Sequence, residues 1–132
     1  MQRDEFIQRV QEDGKLESKE EALKVTKAVL ETLGERLYRT EQSELAAELP
    51  QGLREYVMEP QTVEISKGQV EKYGLEEFYD RVGARAGVYY QTAVRLTRVV
   101  MDVLQEAVSP GEIEDIKQEL SEGYRKLFEK AT

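Results

Sequence analysis

The segment Ala22-Leu23-Lys24-Val25-Thr26-Lys27-Ala28-Val29-Leu30-Glu31-Thr32-Leu33 returns as Ala93-Val94-Arg95-Leu96-Thr97-Arg98-Val99-Val100-Met101-Asp102-Val103-Leu104. The offset from 22 to 93 is 71 residues, and it holds across the segments 22–57 and 93–128. Residues 4–10 similarly return as residues 76–82. A period this long indicates two half-domains rather than a solenoid, whose repeats span roughly 20–50 residues. We expect residues kept in both copies to build the fold, whereas residues found in one copy are candidates for function.

Both copies place apolar residues on one face of a long helix. At 100° per residue, one arc of the first copy holds Ala22, Val25, Thr26, Val29, Leu30, Leu33 and Leu37. The matching arc of the second copy holds Ala93, Leu96, Thr97, Val100, Met101, Leu104 and Val108. The opposite arcs are charged and predicted to face solvent; they hold Lys24, Lys27, Glu31 and Glu35, then Arg95, Arg98, Asp102 and Glu106. Ser18 and Glu21 form a capping-box pattern, which predicts the start of the first long helix.

Each copy therefore predicts a short helix, a long helix and two further short helices. The predicted fold is all-α, a single domain over residues 1–132 with two tandem four-helix half-repeats. The half-repeats span residues 3–58 and 76–130, and residues 59–75 connect them. We expect them to pack about a pseudo-two-fold axis with the long helices at the centre.

The composition excludes several classes of partner. The net charge is −8, and neither half is basic, which argues against nucleic acid and against anionic membranes. No apolar run approaches the roughly 18 residues that a membrane-spanning helix needs. The first residues, Met1 to Glu5, lack the apolar core of a signal peptide. These features predict a cytoplasmic protein.

The absence of two residue types removes much familiar chemistry. The chain has no histidine, so it lacks the commonest general base near neutral pH and the imidazole of serine and cysteine triads. It has no cysteine, which excludes disulfides and thiolate metal sites. We therefore expect no catalytic residues, no cofactor-binding residues and no metal ligands, hence no cofactor.

The acidic residues of the third helix in each copy leave two interpretations open. Glu41, Glu44 and Glu48 share one helix face, and Glu112, Asp115 and Glu119 repeat their spacing. They are interpreted first as solvated faces whose leading carboxylates favour the positive helix start. The alternative is a cation site built from one triad or from both.

Thr26 and Thr97 fall near the middle of the two apolar arcs. Their small size is expected to let the two long helices approach closely. A hydroxyl there could hold a ligand, and the alternative expected of it is a bond back to the carbonyl of Ala22 or Ala93.

The motifs resemble one known family. The pattern Glu-Phe-x-x-Arg-Val at residues 5–10 and 77–82 precedes an Ala-x-x-x-Thr long helix in each copy. The stretch Glu48-Leu49-Pro50-Gln51-Gly52-Leu53-Arg54 follows in the first copy, and Ser121 replaces Pro50 in the second. With these features the chain resembles the bacterial domain of unknown function DUF2267 over essentially its whole length. The resemblance implies an all-helical bacterial protein built from this tandem repeat, and it supplies no catalytic residues.

The second copy carries apolar and aromatic groups that the first lacks, at Tyr79, Tyr89, Tyr90, Val99 and Val103. They either pack within the protein or form an exposed patch with tyrosine rims, a composition typical of binding surfaces. The second interpretation predicts that a protein partner, or a second copy of this chain, docks on the second half.

The leading functional hypothesis is a non-enzymatic protein-interaction or adaptor module. One alternative is a small-ligand-binding protein that uses an apolar crevice between the halves. The other is a carboxylate-dependent metalloenzyme.

Overall fold

Eight helices are present in residues 1–58 and 73–130, the parts of the chain that the computed structural model describes. The all-α fold class predicted from the repeat is confirmed. Seven of the helices are α-helices: α1 Arg3–Gly14, α2 Lys19–Glu35, α3 Arg39–Glu48, α4 Arg54–Met58, α5 Leu75–Ala86, α6 Tyr90–Ala107 and α7 Pro110–Glu119. The eighth is a 3₁₀-helix over Glu122–Phe128.

The two long helices begin in different ways. At the start of α2, Ser18 Oγ accepts a hydrogen bond of 3.1 Å from the Glu21 backbone N–H. The Glu21 carboxylate accepts another from the Glu17 N–H at 3.1 Å, so the predicted cap is formed. Tyr89 occupies the matching N-cap position of α6, and its side chain makes no capping bond.

The apolar arcs form the core. Every residue of the two predicted arcs is buried, and Phe6 of α1 and Phe78 of α5 join them. The arcs are continuous apolar surfaces that exclude water when they pack on other helices, which is why the helical periodicity identifies these core residues correctly.

The first helix of each half packs against the long helix of the other half. Helix α1 contacts α6 and α5 contacts α2, in addition to the contacts that α1 makes with α2 and α5 with α6. Arg9 of α1 pairs with Glu106 of α6 at 2.5 Å, and Arg81 of α5 pairs with Glu35 of α2 at 3.0 Å. These two ion pairs join equivalent positions of the repeat. They are compatible with the expected pseudo-two-fold arrangement, which stays a prediction.

The predicted outward position of Glu35 is wrong. Its side chain is buried, because α5 covers this face of α2. Arg85 donates to Glu35, and Tyr73 donates its hydroxyl at 2.8 Å. Burial opposes ionisation, but the hydrogen bonds from Arg85, Tyr73 and Arg81 outweigh it and hold the pKa of Glu35 below its usual value.

Helices α2 and α4 meet at Gly34. A Cβ atom at this position would lie 2.2 Å from the carbonyl oxygen of Val57. The Gln42 side chain donates to the Gly34 carbonyl at 2.5 Å, so the same point also anchors α3. The second copy has Gln105 here, which shows that this close approach belongs to the first half alone.

The predicted half-repeats stay a prediction. They are compatible with α1–α4 and with α5 through the 3₁₀-helix, and α5 begins at Leu75, one residue before the predicted boundary. Most of the predicted connector, residues 59–72, lies outside the described residues. None of the helices described is both long and apolar enough to cross a membrane.

Replacing Gly34 with alanine should destabilise the protein by about 1–3 kcal/mol, because the added methyl group must displace the backbone at Val57. Urea denaturation followed by circular dichroism measures the change. Gly111→Ala is the control, since nothing lies within 4 Å of a Cβ atom built there. Equal unfolding midpoints for the two variants would contradict the close approach of α2 and α4.

Candidate cation site

Helices α3 and α7 cap each other reciprocally. At one end, Glu48 of α3 accepts hydrogen bonds from the backbone N–H of Ser109 at 2.7 Å and from its hydroxyl at 3.1 Å. At the other end, Glu119 of α7 accepts from the backbone N–H of Tyr38 at 2.6 Å. Ser109 and Tyr38 are the N-cap residues of α7 and α3. The carboxyl end of each helix thus meets the amino end of the other, and the helices run antiparallel.

Between these two caps lies a group of four carboxylates, here called the acidic cluster. It consists of Glu41 and Glu44 from α3 with Glu112 and Asp115 from α7. One oxygen from each of the four lies within 4.8 Å of the corresponding oxygens of the others. The i, i+3 spacing within each helix places both of its carboxylates on one face, and the antiparallel pairing brings the two faces together.

Two members of the acidic cluster are buried, and each has one carboxylate oxygen without a hydrogen-bond partner. Glu41 is 8% exposed and Glu112 is 5% exposed, and Oε2 of each has no hydrogen-bond partner among the described residues. Glu44 and Asp115 are exposed. The acidic cluster therefore has one buried side, formed by Glu41 and Glu112, and one side open to solvent. A buried carboxylate oxygen without a partner is destabilising by about 1–3 kcal/mol or more, so the buried side of the cluster favours binding of a proton or a cation.

The electrostatics reflect this crowding. Burial, a hydrogen bond with Glu41 and the charges of Glu41, Glu44 and Glu48 raise the pKa of Glu112 to about 9. The pKa of Glu119 is also raised by burial, although its bond from Tyr38 acts in the opposite direction. Two ionised carboxylates at 4.8 Å repel by about 3 kcal/mol at an effective dielectric constant of about 20. Two ionised carboxylates can only accept hydrogen bonds, so a bond between Glu41 and Glu112 requires a proton on one of them.

The donor set determines which cations suit the acidic cluster. All four side chains offer oxygen, which favours hard cations such as Ca²⁺ and Mg²⁺ over metals that prefer nitrogen or sulfur. Twice the Ca²⁺–oxygen distance is about 4.6–5.2 Å, and twice the Mg²⁺–oxygen distance is about 4.0–4.2 Å. Oxygens spread over as much as 4.8 Å can surround Ca²⁺ with little movement.

The interpretation of the two acidic triads as solvated faces is wrong for Glu41 and Glu112, because each helix buries this position against the other. Glu48 and Glu119 are occupied as caps and leave four carboxylates for the acidic cluster. The repeat was the sequence signal that marked these acidic positions, because Glu41 matches Glu112 and Glu48 matches Glu119.

The five residues of the predicted binding patch do not form one exposed surface. Val99 and Val103 of α6 are buried, because α1 and α5 both pack on that helix, and Tyr79 of α5 is buried as well. Tyr90 is 38% exposed, and its ring meets that of Tyr79 edge to face at 5.9 Å. Tyr89 is 88% exposed. The exposed part of the patch is reduced to Tyr89 and Tyr90, and partner binding there stays a prediction.

Thr26 and Thr97 lie at the centre of the core, as expected. Both are fully buried, but neither hydroxyl has a hydrogen-bond partner among the described residues, so the expected back-bonds to Ala22 and Ala93 are not formed. Thr32 makes such a bond instead, to the Ala28 carbonyl at 2.7 Å.

A groove of about 830 Å³ runs between α1 and α6, and therefore between the predicted halves. Its lining is mainly charged and includes Arg9, Glu12, Asp13, Asp102 and Glu106. This lining does not favour the apolar crevice that the small-ligand hypothesis requires.

A family model, described as an uncharacterized conserved protein and called DUF2267, matches residues 3–127. No curated protein matches the chain.

Glu112→Gln should change how stability depends on pH. The pKa of Glu112 in the folded protein is raised, so its contribution to stability is fully present below pH 4.5 and is lost as the pH rises through about 9. The glutamine variant keeps a neutral side chain, so it should become more stable than the wild type by about 1–3 kcal/mol as the pH approaches 9. Urea denaturation across this pH range, with a chelator present, measures the difference.

Glu114→Gln removes the same charge from an exposed position of the same helix and should follow the wild-type profile. Parallel pH profiles for Glu112→Gln and the wild type would show that Glu112 ionises normally.

Proposed function

The chain belongs to the DUF2267 family, and on this premise we propose that it is a non-enzymatic helical module that binds a hard divalent cation in the acidic cluster. The observation that carries the proposal is the pair of buried carboxylates, Glu41 and Glu112, whose Oε2 atoms have no partner where four carboxylate oxygens converge. A cation would supply the positive charge that no residue provides, since no Lys or Arg in the described ranges forms an ion pair with these four carboxylates.

Ca²⁺ is the cation that this arrangement fits best. The acidic cluster brings together one oxygen from each of four carboxylates, and their spread of up to 4.8 Å matches the distances of Ca²⁺, which binds carboxylates through one oxygen or both. Mg²⁺ demands a smaller octahedral arrangement, so it would require α3 and α7 to move closer together.

The proposal does not extend to catalysis. The chain lacks both histidine and cysteine, so a bound cation would have neither of these residues beside it as a base or nucleophile. Cation-dependent turnover of a substrate that Glu41→Gln abolishes would contradict this part. We propose a location in the bacterial cytoplasm, on the strength of the family resemblance.

Ca²⁺ should stabilise the wild-type protein against heat. At a free concentration of about 100 times Kd, binding to the folded state alone adds about 2.7 kcal/mol to the free energy of unfolding. Differential scanning fluorimetry with Ca²⁺ up to about 10 mM should therefore raise Tm, and isothermal titration calorimetry should give about one site per chain. Mg²⁺ should produce the smaller shift.

The double variant Glu41→Gln with Glu112→Gln should lose this Ca²⁺ response. Its matched control is Glu20→Gln with Glu114→Gln, which makes the same two substitutions at exposed positions outside the acidic cluster. An unchanged Tm for the wild type, or a shift that the two double variants share, would overturn the cation proposal.

A second proposal concerns protein association through Tyr89, and a local conflict in the sequence supports it. Tyr89 occupies an N-cap position, where Ser, Thr, Asp and Asn are strongly favoured, and its matching residue Ser18 does form a cap. An exposed tyrosine here adds nothing visible to the stability of α6 and leaves its first turn uncapped. Local rules tend to be violated at functional sites, and tyrosine is enriched at protein interfaces.

Tyr89→Ser should stabilise the protein by about 0.5–1 kcal/mol and weaken its association with a protein partner, tested first with a second copy of the chain. Thermal unfolding measures the first effect, and sedimentation velocity over a range of concentrations measures the second. A wild-type protein that stays monomeric, or a variant that associates equally well, would contradict a role of Tyr89 in self-association.

A further inference from the structure

The contacts between α3 and α7 are attractive at both ends and repulsive in the middle. Each end is held by a carboxylate that accepts a backbone N–H of the opposite helix, Glu48 from Ser109 and Glu119 from Tyr38. The middle contains the acidic cluster, whose four carboxylates include two that are buried. The same two helix faces therefore contain both the bonds that join the helices and the charges that separate them.

One neighbouring cation, Arg36, acts at a capped end of the α3–α7 interface. Arg36 is the cation that acts on Glu119, and it lies at the capped end rather than in the middle. Its guanidinium donates to the Tyr124 hydroxyl at 3.0 Å and lies over the rings of Tyr73 and Tyr124. Arg36 is thus bound to Tyr73 and Tyr124 of the second half of the chain.

We propose that occupation of the acidic cluster by Ca²⁺ controls whether α3 and α7 are docked on each other. This inference rests on the proposed cation binding. The bound ion replaces repulsion by attraction between Glu41 and Glu44 of one half and Glu112 and Asp115 of the other. The two terminal caps then form together with the cation site, because the same rigid helices carry both.

Ca²⁺ bound in the acidic cluster would join the first half of the chain to the second. Helix α3 packs on α4, within the first half, whereas α7 leads directly into the 3₁₀-helix, which packs on α6. A cation between α3 and α7 therefore links two elements that are otherwise anchored on different long helices. We expect Ca²⁺ to change the stability of the α3–α7 interface and not the packing of the core.

The capped amides report docking directly. The backbone N–H groups of Tyr38 and Ser109 bond only across the α3–α7 interface in the described structure, so their hydrogen exchange follows its opening. Residue-resolved hydrogen exchange by NMR, at fixed pH with and without saturating Ca²⁺, should show both amides slowed by roughly tenfold or more in Ca²⁺. The Ala93 amide, which donates to the Tyr89 carbonyl at 2.8 Å at the start of α6, is the internal control.

The variant Glu41→Gln with Glu112→Gln separates docking from ion binding. Replacing the two buried carboxyl groups by amides should leave the Tyr38 and Ser109 amides protected without Ca²⁺, and adding Ca²⁺ should change neither. Glu20→Gln with Glu114→Gln should behave as the wild type.

The outcomes distinguish this inference from the proposed function. If Ca²⁺ raises Tm of the wild type but slows Tyr38 and Ser109 no more than Ala93, the docking inference is overturned and cation binding stands. If Ca²⁺ neither raises Tm nor changes any amide, both fail. Selective slowing of the two capped amides, lost in the charge-removing variant, supports the inference.

Discussion

The buried carboxylate of Glu35 is the constraint on which much of this fold depends. An ionised group inside a protein is strongly destabilising unless hydrogen bonds and opposite charges surround it. Glu35 lies on the long helix of the first half, and its partners Arg81 and Arg85 lie on the first helix of the second half. Burying Glu35 therefore requires α5 to cross over and pack on α2. The equivalent pair, Arg9 with Glu106, ties α1 to α6 in the same way near the surface.

The packing of the first helix of each half on the long helix of the other half also determines which residues of the long helices are covered. Helix α2 lies against α1, α4, α5 and α6, so nearly every apolar residue along it is covered. Helix α6 is covered by α1 and α5 together, which explains its wider apolar face. Val99 and Val103 are core residues for this reason. The apolar surplus of the second copy is thus explained by packing, and Tyr89 is left as the exposed feature that packing does not explain.

The acidic cluster pairs matching positions of the two copies of the sequence repeat. A carboxylate kept at the same position of both copies meets its own counterpart when two equivalent helices pack antiparallel. A single ionised carboxylate on a surface helix does not destabilise the protein, but two that face each other at 4.8 Å or less repel each other. Retention of Glu41 and Glu112 in both copies is hard to explain by stability alone, since glutamine would fill the same space without the charge. The proposed counter-ion would offset this repulsion, and the same ion would draw together two helices from different halves.

The sequence by itself determined the helical fold, the inward faces of both long helices and the start of α2 at Ser18. These features depend on residues within a few turns of one another, and the 3.6-residue period and capping pattern report them directly. The tertiary structure alone decided that Glu35 is buried, that Tyr79, Val99 and Val103 are covered, and that two acidic faces form one cluster. Each of these depends on which distant helix lies alongside. Glu41 and Glu112 are 71 positions apart, and no local pattern specifies that their helices meet.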